Sequence, residues 1–461
     1  MADILEEVLK RVRPTEADQK RIERVASELI RRTKAACAKL KVNAKPMLVG
    51  SAARGTWLRT ERDIDIFILF PEGLPREELE RQGLAVAREV AGPKGRERFA
   101  EHPYVMMKFE GFEVDLVPCY DVAKPSEIRS AVDRTPHHQR YVKERLTPEL
   151  ADEVLLVKKF MDGIKIYGAE LQVRGFSGYL CELLTLRHGS FQKLVGAVSQ
   201  WKPGVIIDLE RSYADESEPK VLFEGQPLIV IDPVDPNRNV GAAVSMQNFA
   251  VFVRACQEFI RAPSLRFFFP RRVKLLNAGG VRRILKRRGT KLFCVAFRSP
   301  DVVPDVLYPQ LRKTERTLVT RLAQSGFEVL RSDVWADSRA VIVLELSVAR
   351  LPRVRTRVGP PITLEVEGFI REHLGSKETL AGPFVDAAGR VVFELEREQT
   401  DARRVLERAL AERAAFGKHV AEAIGRGHEI FEGAKLAKLL RDRKFGEFIS
   451  EYLAPCLPWY R

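Results

Sequence analysis

The segment that most limits how this chain can fold is "RDIDIFILFP", Arg62 to Pro71. Its apolar run is long enough for a central strand, and a strand points successive side chains to opposite faces. Asp63, Asp65 and Phe67 then share one face, while Ile64, Ile66 and Ile68 share the other and need a core. Two carboxylates held side by side repel, and one takes up a proton unless a cation relieves the repulsion. Asp115 in "FEVDLVP" supplies a third carboxylate on another alternating strand. Glu113 shares its face, and spacing alone does not choose between them. Hard oxygen ligands suit Mg²⁺, and three acids permit two ions that clamp an in-line phosphoryl displacement. Solvent-facing acids on an edge strand are the plain alternative. The apolar flank, the second strand acid and the upstream Gly50-Ser51 weigh against it.

Gly50 lets the backbone approach a phosphate closely. The Ser51 hydroxyl, with amides at the start of the following short helix, suits a triphosphate. Arg54 lies three residues on and can turn the same way. The rest of the composition agrees with such a partner. The 461 residues are 45% hydrophobic and 30% charged, a globular balance long enough for several domains. The net charge of +14 favours a polyanionic partner. It is concentrated in the acid-free stretches "RFFFPRRVK", "RRILKRRGTK" and "RLPRVRTR" of the second half. No apolar stretch reads as a membrane span, and the N-terminus lacks an apolar signal core. The expectation is a cytoplasmic protein without a membrane partner. Six isolated cysteines, Cys37, Cys119, Cys181, Cys256, Cys294 and Cys456, sit at no zinc-ligand spacing and read as small core residues.

Hydrophobic periodicity predicts a helix over 15–36, a strand in "KPMLVG" and a helix over 76–91. "YVMMKFEGFEVDLVPCY" reads as two strands joined at Glu110-Gly111. From Thr147 the pattern becomes helical, with Thr147 and Ser177 as caps. "GFSGYLCELLTLRHGSFQKLVGAV" and "NVGAAVSMQNFAVFVRACQEFI" read as further helices, and "DPNRNV" between them reads as a loop. After Pro263 strands are expected at "KLFCVAF", "GFEVLRSDVW", "RAVIVLEL", "ITLEVEGFI" and "GRVVFELER", with helices over 310–325 and 401–453. Boundaries fall near 145 and 258.

Gly-Ser, an acid-apolar-acid strand and a later strand acid resemble the nucleotidyltransferase superfamily of DNA polymerase β. The stretches "GSAARGTWLRTERDIDIFILFP", "VDLVPCY", "SAVDRTPHHQRYV", "IYGAELQVRGFSGYLCELL" and "VIDPVDPNRNVGAAVS" are similar to the archaeal (class I) CCA-adding enzymes, which are tRNA nucleotidyltransferases. The similarity is dense over roughly 45–270 and thinner beyond. It implies an α+β multidomain fold: a polymerase β-like catalytic head over 1–145, a helical neck over 146–257, and a C-terminal α/β body and tail over 258–461. It implies template-independent addition and repair of the 3′ CCA of tRNA from CTP and ATP. Asp63, Asp65 and Asp115 then bind two Mg²⁺ ions and carry catalysis. Ser51, Arg54, His138, Lys158, Tyr167 and Arg238 contact the nucleotide, with Arg238 at the base and His137 left open beside His138. Family members often carry Glu at the first strand acid, where this chain has the shorter Asp63. From their charge, Arg282, Arg283, Arg287 and Arg288 are expected to bind RNA. A homodimer is one option. A poly(A) polymerase or oligoadenylate synthetase is the alternative enzyme, and an RNA-binding protein on a decayed scaffold is the non-enzymatic one.

Overall fold

A computed structural model describes residues 1–99 and 103–461. The chain forms two compact units, Met1–Arg272 with Cys456–Arg461, and Val273–Pro455.

The first unit opens with α1 (Ala2–Val12) and α2 (Glu16–Lys39). Thr15 starts α2 through a reciprocal cap, its hydroxyl accepting from Asp18 N while Asp18 accepts from Thr15 N. There follow β1 (Lys45–Val49), α3 (Gly50–Arg54), β2 (Asp63–Phe70), α4 (Arg76–Ala91), β3 (Arg96–Phe99), β4 (Pro103–Phe109) and β5 (Phe112–Tyr120). The strands form one sheet in the order β1-β2-β5-β4-β3. Its central pair β2–β5 is parallel and its other pairings are antiparallel. Glu110 and Gly111 join β4 to β5 with φ of 49° and 87°, the left-handed pair that a two-residue hairpin requires. Ile64, Ile66 and Ile68 pack with Ile22, Val25 and Leu29 of α2 and with Val86 and Ala87 of α4. Burying each such aliphatic side chain contributes about 1.5–3 kcal/mol. That covered face leaves the Asp63–Asp65 face for the site.

The unit continues with α5 (Arg134–Arg145), α6 (Pro148–Gly163), α7 (Gly178–His188), α8 (Phe191–Val198), β6 (Val205–Ile207), α9 (Ser217–Leu222), β7 (Leu228–Asp232), β8 (Asp235–Asn239) and α10 (Met246–Arg261). Thr147, Ser177, Ser190 and Ser245 each cap a helix by accepting from a backbone N–H three residues on. These caps explain two departures from the sequence reading. Gly189, at φ 75°, ends α7 and Ser190 starts α8, so one expected helix is two. Ser245 delays α10 to Met246. "DPNRN", expected in a loop, is the strand β8, paired antiparallel with β7.

Phe160 of α6 centres an aromatic cluster with Phe191, Phe252, Phe259, Phe267 and Phe268. Residues beyond the boundary expected at 258 therefore pack inside the first unit. The C-terminus does too: Trp459 stacks on Phe267 at 5.3 Å and donates Nε1–H to Glu258, which also accepts from the Tyr460 hydroxyl.

The second unit contains α11 (Ala278–Arg288), β9 (Lys291–Arg298), α12 (Pro304–Gln324), β10 (Val329–Ala336), β11 (Arg339–Leu346), β12 (Val354–Pro361), α13 (Glu367–Leu374), β13 (Thr379–Val385), β14 (Arg390–Glu396), α14 (Ala402–Glu412), α15 (Lys418–Arg426), β15 (His428–Glu432), α16 (Leu436–Leu439) and α17 (Arg443–Leu453). Its strands form two antiparallel sheets, β10-β11-β9-β15 and β12-β14-β13. "ITLEVEGFI" alternates like a strand but is not one. The charged β12 holds that place in the sheet, and α13 lays Phe369 and Ile370 on Val391, Phe393 and Leu395. Tertiary packing overrides strand propensity there. The helical reading of 401–453 is likewise interrupted by β15, which pairs with the edge of β9. Five cysteines are buried, but Cys456 is exposed, so it is no core residue. No helix of the described residues is long and apolar enough to cross a membrane.

Trp459 is 4% exposed, so Trp459→Ala opens a cavity and removes the stack. The loss is expected to be about 3–5 kcal/mol from the first unit. Calorimetry of the full chain checks this: the first unit's transition moves down while the second's stays.

Candidate active site

The parallel register of β2 and β5 sets Asp65 directly beside Asp115, and Asp63 beside Glu113. Glu113 pairs with Lys108 at 3.3 Å with both side chains largely exposed. Burial, then the charges of Asp65, Asp63 and Glu113, pushes the Asp115 carboxyl up to about 7. Burial and Asp63 push Asp65 up to about 6, against the pull of Arg54. Asp63 is raised as well, by burial and then by Glu61 and Glu113. Three carboxylates raised by crowding are a donor set that a divalent cation relieves. Among the described residues, no group of three or more His, Cys, Asp or Glu forms a ready cation cage.

Gly50 lies against this face with φ +78°, and a Cβ there would stand 2.3 Å from Asp65 Oδ2. Both its conformation and its lack of a side chain are required. Ser51 follows on the five-residue α3, half-buried.

Arg54 is 7% exposed; its Nε donates to Glu182 Oε1 at 2.9 Å and its Nη1 to Gln139 Oε1 at 2.8 Å. Thr56 donates its hydroxyl to the same Glu182 oxygen at 2.5 Å. Glu182 Oε2 is buried without a hydrogen-bond partner among the described residues. Lys158, read from sequence as a point charge for phosphate, is 1% exposed and donates to the Thr56 carbonyl at 2.7 Å. Tyr167 donates to Glu61 at 3.0 Å, and burial holds its phenol well above the ordinary value. Arg54, Lys158 and Tyr167 thus gather around the turn that follows α3: Lys158 bonds its backbone directly, Tyr167 bonds Glu61 on it, and Arg54 shares Glu182 with Thr56.

His138 and Arg238 come together on a residue that sequence reading missed. Asp232, at 0% exposure, accepts from His138 Nε2 at 2.8 Å and from Arg238 Nη1 at 2.5 Å. Burial raises the Asp232 carboxyl, but His138 and Arg238 outweigh it and hold the group below its usual value. Burial lowers His138 despite the carboxylate, so the ring is neutral at pH 7. His137 lies apart, its Nε2 buried and unpaired among the described residues and its Nδ1 3.4 Å from Arg140 Nη2. Asp232 closes the apolar run "LIVID" as Asp65 interrupts "DIDIFILF", and Glu182 is the lone acid in "YLCELLTL". A charge within an apolar run was the available signal for both.

In the second unit, Arg282, Arg283 and Arg287 are exposed along α11. Arg288 is different: its Nε donates at 2.7 Å to Glu345, a buried carboxylate that also accepts from Arg331 and Thr290. Its side chain remains 36% exposed, so the ion pair with Glu345 leaves it on the surface of α11 beside the other three.

The raised carboxyls set a pH dependence. The folded state keeps protons that the unfolded chain releases near pH 4, so metal-free stability falls as pH rises from about 4 to about 7. Asp115→Asn is expected to flatten that fall and to raise the melting temperature at pH 8 in chelator. An unchanged pH profile in this variant would show that the Asp115 carboxyl is not raised.

Family models match along the chain: a nucleotidyltransferase domain over 30–138, the second domain of tRNA nucleotidyltransferase over 152–269, and the C-terminal domain of the CCA-adding enzyme over 288–433. The CCA-adding enzyme of Methanosarcina mazei is 41% identical over 453 residues, 97% of each chain. That of Halobacterium salinarum is 42% identical over 456 residues, 98% of each chain, and that of Haloarcula marismortui 38% over 476 residues, covering 99% of this chain and all of the relative. Similarity at this level along the whole length, on a sheet that sets Asp65 beside Asp115, has one reading: the chain belongs to the family of archaeal CCA-adding enzymes, tRNA nucleotidyltransferases with the polymerase β-like head and its divalent-metal dependence.

Proposed function

We infer that this chain builds and repairs the 3′-terminal CCA of tRNA from CTP and ATP without a template, releasing pyrophosphate. The observation that carries the reading is the in-register pair Asp65–Asp115 with Asp63 two residues upstream. Asp63, Asp65 and Asp115 would hold two Mg²⁺ ions, which lower the pKa of the attacking tRNA hydroxyl and neutralise charge on the triphosphate. Asp115 is preferred to Glu113 because it stands beside Asp65, whereas Glu113 is paired with Lys108. Gly50 lets the backbone close on Asp65, which places α3 beside the carboxylates, and the Ser51 hydroxyl reaches the triphosphate from α3. Arg54 adds positive potential there, while Lys158 and Tyr167 fix the turn on which the phosphates rest.

Arg238 reads the base. CTP and ATP each present a ring-nitrogen acceptor beside an exocyclic amino group. Arginine, a pure donor, pairs with the ring nitrogen. UTP and GTP place a donor there, leaving buried donors unpaired at about 1–3 kcal/mol. The amino group needs an acceptor, and a phosphate of the bound tRNA supplies one without a template.

Functionally, 1–145 acts as head and 146–257 as neck, with the tRNA gripped by the C-terminal region beyond 258 through Arg282, Arg283, Arg287 and Arg288. The enzyme works in the cytoplasm, and a homodimer is its proposed assembly.

Incorporation of labelled CTP and ATP into tRNA lacking its 3′ end tests the activity. Asp63→Ala, Asp65→Ala and Asp115→Ala are each expected to lower it by at least about 10³-fold with the fold intact. Long tails made from ATP alone would favour a poly(A) polymerase instead.

Salt dependence tests the RNA surface. Replacing Arg282, Arg283 and Arg287 with Gln should weaken tRNA binding broadly and reduce the log–log salt slope by about 1 per lost phosphate contact. An unchanged slope would remove α11 from the interface.

A further inference from the structure

Arg238 and His138 reach the base-reading region from different elements, β8 and α5, yet both end on one buried carboxylate. Asp232 accepts from His138 Nε2 at 2.8 and 3.1 Å, from Arg238 Nη1 at 2.5 Å, from Val234 N at 3.1 Å and from the Tyr179 hydroxyl at 3.3 Å. Tyr179 also stacks on the His138 ring, with centroids 4.0 Å apart and planes 25° apart. Asp232 is 0% exposed, whereas the Arg238 side chain is 37% exposed. The carboxylate is therefore out of reach of a nucleotide, and the guanidinium it holds is within reach.

We propose that Asp232 is the positioning residue of base selection, its buried carboxylate holding the Arg238 guanidinium and the His138 imidazole in one arrangement before a nucleotide arrives. This rests on the reading that Arg238 recognises the base.

A carboxylate only accepts, so both partners donate to it. That fixes His138 as the Nε2–H tautomer and leaves Nδ1 as an acceptor. Arg238 gives Nη1 to the carboxylate and keeps its other N–H groups for the base. A free arginine samples many rotamers, and a donor that wanders accommodates UTP as readily as CTP. Discrimination depends on a donor that cannot move away when the ring presents a donor of its own. The anchor lies on the same hairpin as its arginine, since Asp232 ends β7 and Arg238 lies on β8. The spacing that lets the two meet is thus set locally.

Asp232→Asn, Arg238→Ala and the double variant test the proposal by steady-state kinetics with CTP and UTP on a tRNA acceptor. Asp232→Asn is expected to lower the CTP-over-UTP ratio of kcat/KM by about tenfold, mostly through poorer use of CTP. tRNA affinity and melting temperature report that the fold survives. In the Arg238→Ala background, Asp232→Asn should change the ratio no further. A parental ratio in Asp232→Asn, or an equal fall in both backgrounds, overturns the proposal. Asp232→Glu keeps the charge but moves the carboxylate by one methylene, and it should also lower the ratio. This second variant keeps the test open if Asp232→Asn does not fold. Imidazole ¹⁵N shifts supply an independent readout: the Nε2–H form of His138 should dominate in the parent and lose its dominance in Asp232→Asn. If Arg238→Ala keeps the parental ratio, the base reading itself falls. The ¹⁵N spectrum then decides the positioning role alone, and a retained Nε2–H form overturns it.

Discussion

Everything in the first unit is arranged around two carboxylates that repel. Asp65 and Asp115 stand side by side on the parallel pair β2–β5; burial raises both, with the charge of Asp63 adding to Asp65 and the charges of Asp65 and Asp63 adding to Asp115. Such a pair is unstable by itself. It persists because each strand is locked by its opposite face, where Ile64, Ile66, Ile68, Val114 and Leu116 pack in one core. Stability from that core holds carboxyls whose crowding a bound proton or a divalent cation relieves. Gly50 completes the arrangement by bringing backbone against Asp65 where any side chain would collide.

Around the site lies a second tier of buried and half-buried polar groups, each joined to a partner on another element or strand. Arg54 meets Glu182, Lys158 meets the Thr56 carbonyl, and His138 and Arg238 meet Asp232. Breaking one member of such a pair strands the other in a low dielectric, which makes these contacts demanding on geometry. They join elements distant in sequence: Arg54 and Glu182 are 128 residues apart, and His138 and Asp232 are 94 apart. The turn after α3 is thereby tied to α6 and α7. In the second unit the same physics separates two kinds of arginine on one helix. Arg288 pairs with the buried Glu345, while Arg282, Arg283 and Arg287 are exposed along the same helix.

Much of this was legible in the residues. Alternation in "RDIDIFILFP" placed Asp63 and Asp65 on one face and the isoleucines on the other. Glu110-Gly111 announced a hairpin, and Thr147 and Ser177 announced helix starts. These features depend on contacts within a few residues, so sequence determines them. Errors came where a local pattern competed with packing, as in "ITLEVEGFI", where β12 already held the place in the sheet.

By itself the sequence determined the central strands of the catalytic sheet, the Thr147 and Ser177 caps, the carboxylate face and, through family likeness, the chemistry. Only the tertiary structure decided that Asp115 stands beside Asp65, that Lys158 is buried on Thr56, that Arg288 belongs to Glu345, and that Asp232 gathers His138 and Arg238. The physical reason is range. Side-chain direction along a strand or helix follows from bond geometry over a few residues, whereas the partner of a buried charge is chosen by which distant element the core brings within 3 Å.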